Sequence, residues 1–166
     1  TCPLPLELAT YLQDHGNTLT WEQAHDAYTY RAGQASDDAT PFAYASHHAP
    51  VDQAFKRYAL VSFKPGRPLI EAVRDLMQRI HTEFNYESFS TDISTPALTV
   101  LSNKRGVCQD FAHVMLACLR SMGLAARYVS GYLLTEPPPG QARLIGSDAS
   151  HAWVSLDRKS TRLNSS

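Results

Sequence analysis

In RGVCQDFAHVMLACLRSMGLAARYVSGY, residues 105–132, a cysteine follows Gly106 and Val107 at the mouth of a long apolar run. A thiol attacks carbonyl carbon as its thiolate, and an unperturbed cysteine with a pKa near 8.5 carries little thiolate at neutral pH. A helix N-terminus favours the thiolate through unpaired N–H groups equivalent to about half a positive charge, and the same groups can hold an oxyanion forming on an attacked carbonyl. Cys108 stands where both effects are available, whereas Cys118 falls on the packed stripe of the same helix. A thiol nucleophile also needs an imidazole base. Of the seven histidines, His15, His25 and His81 read as surface residues of amphipathic helices, and His47 and His48 fall in a stretch without periodicity. His113 lies about a turn and a half beyond Cys108, so it is expected to face largely away, as a surface or supporting residue. His151 differs, because it opens SHAWVSL and its small neighbours Ala149, Ser150 and Ala152 leave the ring unshielded. Cys108 and His151 are therefore the candidate catalytic pair. Taken singly, a cysteine at a helix start or a histidine on a strand is more often a packing residue than a catalyst.

Such a pair needs a helix that begins at Cys108 and a strand that brings His151 beside it. From Cys108 to about Met122, Phe111, Met115, Cys118 and Met122 form one apolar stripe that Ala112, Leu116 and Leu119 widen, leaving Asp110, His113 and Arg120 as the wet side. AARYVSGYLL is β-branched and aromatic, as strands are, and SHAWVSL alternates, with His151, Trp153 and Ser155 on one face and Ala152, Val154 and Leu156 on the other. Upstream, PLPLELATYLQDHG and WEQAHDAYTYRAG read as short helices that each stop at a glycine, the second started by a Thr20–Gln23 capping box. RPLIEAVRDLMQRIHTEFNY has the strongest helical period and places Pro68 at the first helical position. STPALTVLSNKRG gives a short helix that delivers the chain to Cys108. Residues 36–68 read as a linker, with YALVSF as a short strand or extended connector. Helices followed by antiparallel strands make an α+β domain.

A length of 166 residues suits one ordinary domain, and 43% hydrophobic residues are enough to build its core. The formal net charge of -1 comes without a basic stripe, so no nucleic-acid partner is expected. No apolar run approaches the roughly eighteen residues of a membrane span, which implies a soluble chain with no membrane partner. Cys2, Cys108 and Cys118 make no C-x-x-C pair, which argues against a disulfide framework or a zinc site and for a reducing, cytoplasmic location. No metal or cofactor is expected.

GVCQDFAHVMLACLRSMGLAARYVSGY followed by DASHAWVSL resembles the core of the bacterial transglutaminase-like family, a papain-like thiol fold. The likeness runs from about residue 65 to Leu156 and is looser before that. It implies that Cys108 is the nucleophile, that His151 is the general base and acid, and that Trp153 is a framework aromatic beside the histidine. The implied activity is acyl transfer or hydrolysis at a protein or peptide amide through a cysteine thioester. The family's third catalytic member, which orients the histidine, is an aspartate about fifteen residues further on in a Phe-Asp-Pro-Thr setting. After Leu156 this chain reads DRKSTRLNSS instead. The expectation is therefore a helical and linker segment at 1–64, a core at 65–156 lacking its last strands, and a foreign or out-of-frame tail at 157–166, with amide turnover impaired. None of the acids present is assigned the missing role: Asp157 lies about 20 Å along the strand from His151, Asp110 falls on another face of the helix than Cys108, and Asp148 sits in the loop before the strand. The rival reading is a non-catalytic fragment or degenerate module used for folding or protein interaction.

Overall fold

Thr20 and Gln23 cap each other, the Gln23 N–H donating to the Thr20 hydroxyl (3.4 Å) and the Thr20 N–H to the Gln23 side-chain oxygen (3.0 Å). This box starts α1 (Trp21–Tyr28). The computed structural model describes residues 19–29, 38–87, 95–132 and 150–157. The expected helix at 3–16, the glycine stop at Gly33, the loop carrying Asp148 and the tail after Asp157 lie outside these residues. After a single 3-10 turn (Thr40–Ala43) come α2 (Gln53–Leu60), α3 (Leu69–Glu83), β1 (Asn85–Tyr86), α4 (Ala97–Asn103), β2 (Arg105–Gly106), α5 (Cys108–Ser121), β3 (Ala126–Tyr132) and β4 (Ser150–Leu156).

The linker expected at 36–68 is overturned. Asp52 accepts the Ala54 N–H (2.7 Å) and starts α2, so YALVSF, expected as a short strand or extended connector, begins inside a helix and continues as a turn closed on the Ala59 carbonyl. Its register explains the error: Phe55 and Ala59, four apart, are both fully buried, which is a helical and not an alternating period. Phe55, Ala59 and Phe63 belong to the same core cluster as Leu116 and Leu119, so the core runs across residues 64 and 65. Pro68 stands one place earlier than expected, as the residue flanking α3.

Helix α5 lies at the centre, packed by α2, α3, α4, β3 and β4. Val114, Leu116, Ala117, Cys118 and Leu119 are sealed from solvent against Phe55, Phe63, Leu69, Leu76, Val100 and Leu124. Each large apolar side chain so buried contributes about 1.5–3 kcal/mol. Two positions expected on the wet side are buried as well. Arg120 donates from Nη2 to the Ala126 carbonyl (2.9 Å) and from Nη1 to the Ser46 hydroxyl (2.8 Å), and Asp110 folds back on its own helix start. Polar groups can be buried once they are hydrogen-bonded, and neither partner of Arg120 is visible in the helix's own pattern.

Among the described residues two sheets form, each of two strands. β1 and β2 pair in parallel, with Asn85 beside Arg105 and Tyr86 beside Gly106, a pairing the sequence did not signal. β3 and β4 pair antiparallel from Ala126↔Leu156 to Tyr132↔Ser150. Ala152, Val154 and Leu156 pack on the core, as the alternation of β4 requires.

The turn ahead of α5 is braced by charge. Glu83, closing α3, accepts from Lys104 Nζ (2.6 Å) and Arg79 Nε (3.2 Å). Burial alone would raise the Glu83 pKa, but the Lys104 hydrogen bond and the two cations outweigh it and hold it below the ordinary carboxylate value. A folded pKa below the unfolded one stabilises the fold above the unfolded value and loses that contribution as pH falls through the folded value. Melting temperature should therefore drop between pH 6 and pH 3 by about 2 °C more in the wild type than in Glu83→Gln. Parallel curves in a scanning calorimeter would remove this brace from the account.

Candidate active site

The chain reaches Cys108 through a tightly specified turn. Lys104 ends α4 in the left-handed conformation (φ 53°) and donates its N–H to the Val100 carbonyl (2.8 Å). Pairing on β1, through Asn85 N–H to Lys104 O (2.9 Å) and Glu87 N–H to Gly106 O (3.0 Å), then fixes residues 105 and 106. Val107 is extended, and its N–H donates to the Asp110 carboxylate (2.8 Å). A Cβ on Gly106 would stand 2.6 Å from that carboxylate oxygen and 2.9 Å from the Asp110 Cβ, so the carboxylate can reach back only over a glycine. Cys108 thereby becomes the first residue of α5 and is half-buried. The first N–H groups of a helix have no partner within it, so donors point outward at the end where this thiol sits.

His151 is the second residue of β4, opposite Gly131 on β3. It shares a strand face with Trp153, whose indole meets the imidazole edge-on at 4.9 Å between ring centroids. A Cβ on Gly131 would lie 2.9 Å from Trp153 Cζ3, so glycine there leaves the indole room to lie beside the histidine. α5 packs on both β3 and β4, so the helix opened by Cys108 and the strand carrying His151 are direct neighbours. Of the acids weighed from the sequence, Asp110 serves the helix start. Asp157 pairs with Arg127 at the far end of β4, while its N–H donates to the Ala125 carbonyl (3.0 Å) and its carbonyl accepts from the Tyr28 hydroxyl (2.9 Å). Asp148 lies outside the described residues.

The sequence reading missed an aromatic column. His113 is half-buried between His48 (5.1 Å between centroids, planes 13° apart) and Tyr128 (5.0 Å, 28°), and His47 meets His48 edge-on at 4.8 Å. Burial, then the neighbouring His48, lowers the His113 pKa, and Asp110 opposes them. Burial raises the Tyr128 phenol, and charge on Cys108 raises it further. One signal was available: Tyr128 alternates in phase with buried Ala126 and so belongs to the inward face of β3. Nothing local marked His48, which the fold brings from a segment without periodicity. Among the described residues, no three His, Cys, Asp or Glu side chains are arranged to hold a metal ion, and no helix is long and apolar enough to cross a membrane.

A central helix opened by a cysteine and packed on antiparallel strands, one carrying a histidine, is the frame of an α+β papain-like thiol fold. The chain belongs to the transglutaminase-like superfamily, whose model matches residues 57–158. Uncharacterized proteins of Mycobacterium tuberculosis and Mycobacterium bovis are 51% identical over 136 residues, which cover 82% of this chain and 42% of theirs. The chain thus spans about two fifths of the length of these curated relatives. A protein-glutamine gamma-glutamyltransferase of Pseudomonas aeruginosa is 29% identical over 108 residues, 54% of this chain and 16% of that protein. The crystal structure of a Cytophaga hutchinsonii protein described as a candidate cysteine protease superposes with a TM-score of 0.60 at 26% identity, covering 78% of this chain and 41% of that one.

The two described cysteines should differ sharply. Cys118 is sealed from solvent, and burial pushes its thiol up to about 12. Iodoacetamide at pH 7.5, followed by peptide mapping, should label Cys108 at least about tenfold faster than Cys118 in the native protein. Comparable rates would contradict this description of the helix. Gly106→Ala should lower stability by about 1–3 kcal/mol in urea unfolding, because the Asp110 clamp must open or the backbone must shift.

Proposed function

We propose that this chain is the catalytic part of a transglutaminase-like thiol enzyme acting on amide bonds, with Cys108 as nucleophile and His151 as general base and acid. The supporting observation is the placement of Cys108 as the first residue of a central helix that packs on the strand bearing His151. In this reading the imidazole takes the thiol proton and the sulfur attacks the amide carbon. The carbonyl electron pair moves onto oxygen, where the outward N–H groups at the start of α5 stabilise it. Collapse breaks the C–N bond, His151 returns the proton to the leaving amine, and a thioester remains on Cys108. Water or a second amine then attacks the thioester and restores the thiol. Trp153 keeps the imidazole from turning away, in space that Gly131 provides.

The substrate in this reading is a protein or peptide amide. The Pseudomonas aeruginosa relative is described as acting on protein glutamine, which makes a glutamine side-chain amide the first to try. Ammonia release from a glutamine-containing peptide reports thioester formation, and the mass of the peptide product with a primary amine present, glutamate or amine adduct, separates hydrolysis from transfer. Cys108→Ala should abolish turnover and His151→Ala should lower it about 10²–10⁴-fold, with circular dichroism unchanged. Turnover surviving in Cys108→Ala would overturn the assignment, and no turnover in the wild type would favour a non-catalytic module. Asp148→Ala is the first variant with which to look for the carboxylate that orients His151.

A further inference from the structure

The tyrosines that enter the interior of this fold use their hydroxyls differently. Tyr28 donates its hydroxyl to the Asp157 carbonyl, and the Tyr58 hydroxyl is enclosed without a hydrogen-bond partner, its ring lying beneath the Arg79 guanidinium at 4.3 Å from the centroid. Tyr128 is different. Its ring is fixed, stacked on His113, which is itself stacked on His48, and it stands on the face of β3 that packs toward α5. Among the described residues its hydroxyl has no hydrogen-bond partner, and it is not sealed from solvent. A ring held this firmly with its polar atom unspent is a device for meeting something else.

Its neighbourhood narrows what that is. Tyr128 feels the charge of Cys108, and both burial and that charge raise its pKa, so it remains an O–H donor at neutral pH. His113 is held toward its neutral form by burial and by His48, with Asp110 opposing, so the ring against Tyr128 brings little positive charge. The most useful group here is a neutral donor near the nucleophile but not bonded to it.

Building on the thiol-enzyme reading above, we propose that Tyr128 is a substrate-facing hydrogen-bond donor of the acyl site, held in place by His113 and serving the oxygen of the acyl group attacked by Cys108. In the step concerned, a C–S bond forms as the carbonyl π pair moves onto oxygen. The Tyr128 O–H donates to that oxyanion without giving up its proton. The pair then returns and the bond to the leaving group breaks, leaving the thioester.

Two reagents that meet the same sulfur separate this role from its alternatives. p-Nitrophenyl acetate acylates Cys108 through an oxyanion and releases p-nitrophenolate, whereas iodoacetamide alkylates it at saturated carbon with iodide leaving and forms no oxyanion. The intact 166-residue chain is compared with Tyr128→Phe, His113→Phe and His113→Ala by stopped-flow absorbance and intact mass. Tyr128→Phe, which keeps the stack, should acylate about 10²-fold more slowly while its alkylation stays within about twofold. His113→Ala should lose part of the acylation rate because the tyrosine is no longer held, and His113→Phe, which restores an aromatic face, should recover part of that loss. Unchanged acylation in Tyr128→Phe overturns the proposal. So does an equal loss with both reagents, which would place the tyrosine's effect on the thiol itself or on folding. If acylation persists in Cys108→Ala, the thiol-enzyme reading fails first, and this proposal fails with it.

Discussion

The hydrogen bond from the Val107 N–H to the Asp110 carboxylate is the constraint on which the site depends. It fixes where α5 begins, and so which side chain receives the helix-end environment. A carboxylate in a first helical turn is favoured by the helix dipole, but here it stands two residues from a candidate nucleophile, where its negative charge would oppose a thiolate. Turning it back onto Val107 gives that charge a local partner and spends one of its lone-pair directions on the backbone. Gly106 makes the turn possible, and the Glu83 contacts with Lys104 and Arg79 brace the approach. The position of one sulfur is therefore set by backbone constraints spread over three elements.

The far end of the same helix has its own anchor. Arg120 ties α5 to the Ala126 carbonyl at the start of β3 and to the Ser46 hydroxyl. Ser46 also closes a turn with Ala49, each N–H donating to the other's carbonyl at 3.0 and 3.2 Å, and that turn presents His47 and His48. The guanidinium thus positions the outer members of the aromatic column as well as the strand that supplies Tyr128. Burying an arginine carries a desolvation cost, visible in the downward pressure of burial on its pKa, and its hydrogen bonds to neutral acceptors offset that cost. Replacing it with an apolar side chain of similar volume would keep the packing of α5 and release the histidine turn.

What could be read in the sequence was local. The start of α5 at Cys108, the alternation of SHAWVSL and the Thr20–Gln23 box all follow from residue types within a few positions of one another, and the structure has each of them. The errors at Asp110 and Arg120 share one physical origin. Asp110 and Arg120 looked solvent-facing because amphipathic reasoning treats charge as exposure, yet each found a partner that a helical wheel cannot show: a residue in the preceding turn for one, and residues 74 and 6 positions away for the other. α2 was hidden by the irregular composition around it, although Phe55 and Ala59 carried its period. Gly106 and Gly131 have no sequence signature of their own, since the need for each arises only when a side chain from elsewhere, Asp110 or Trp153, is laid against it.

Cys108 and Cys118 occupy contrasting environments on a single helix. They lie on the same element, yet one is at its opening and half-buried while the other is enclosed by the core, with burial driving its thiol toward the neutral form and the Arg79 charge only partly opposing this. A neutral thiol in the interior behaves as a small apolar side chain and strengthens the packing that holds α5 still. That rigidity matters at the other end, because donors at a helix start stabilise a developing charge only if they need not move to meet it. The buried cysteine and the half-buried one are thus different uses of one residue type, and the packed stretch of the helix around Cys118 holds its opening in a fixed geometry.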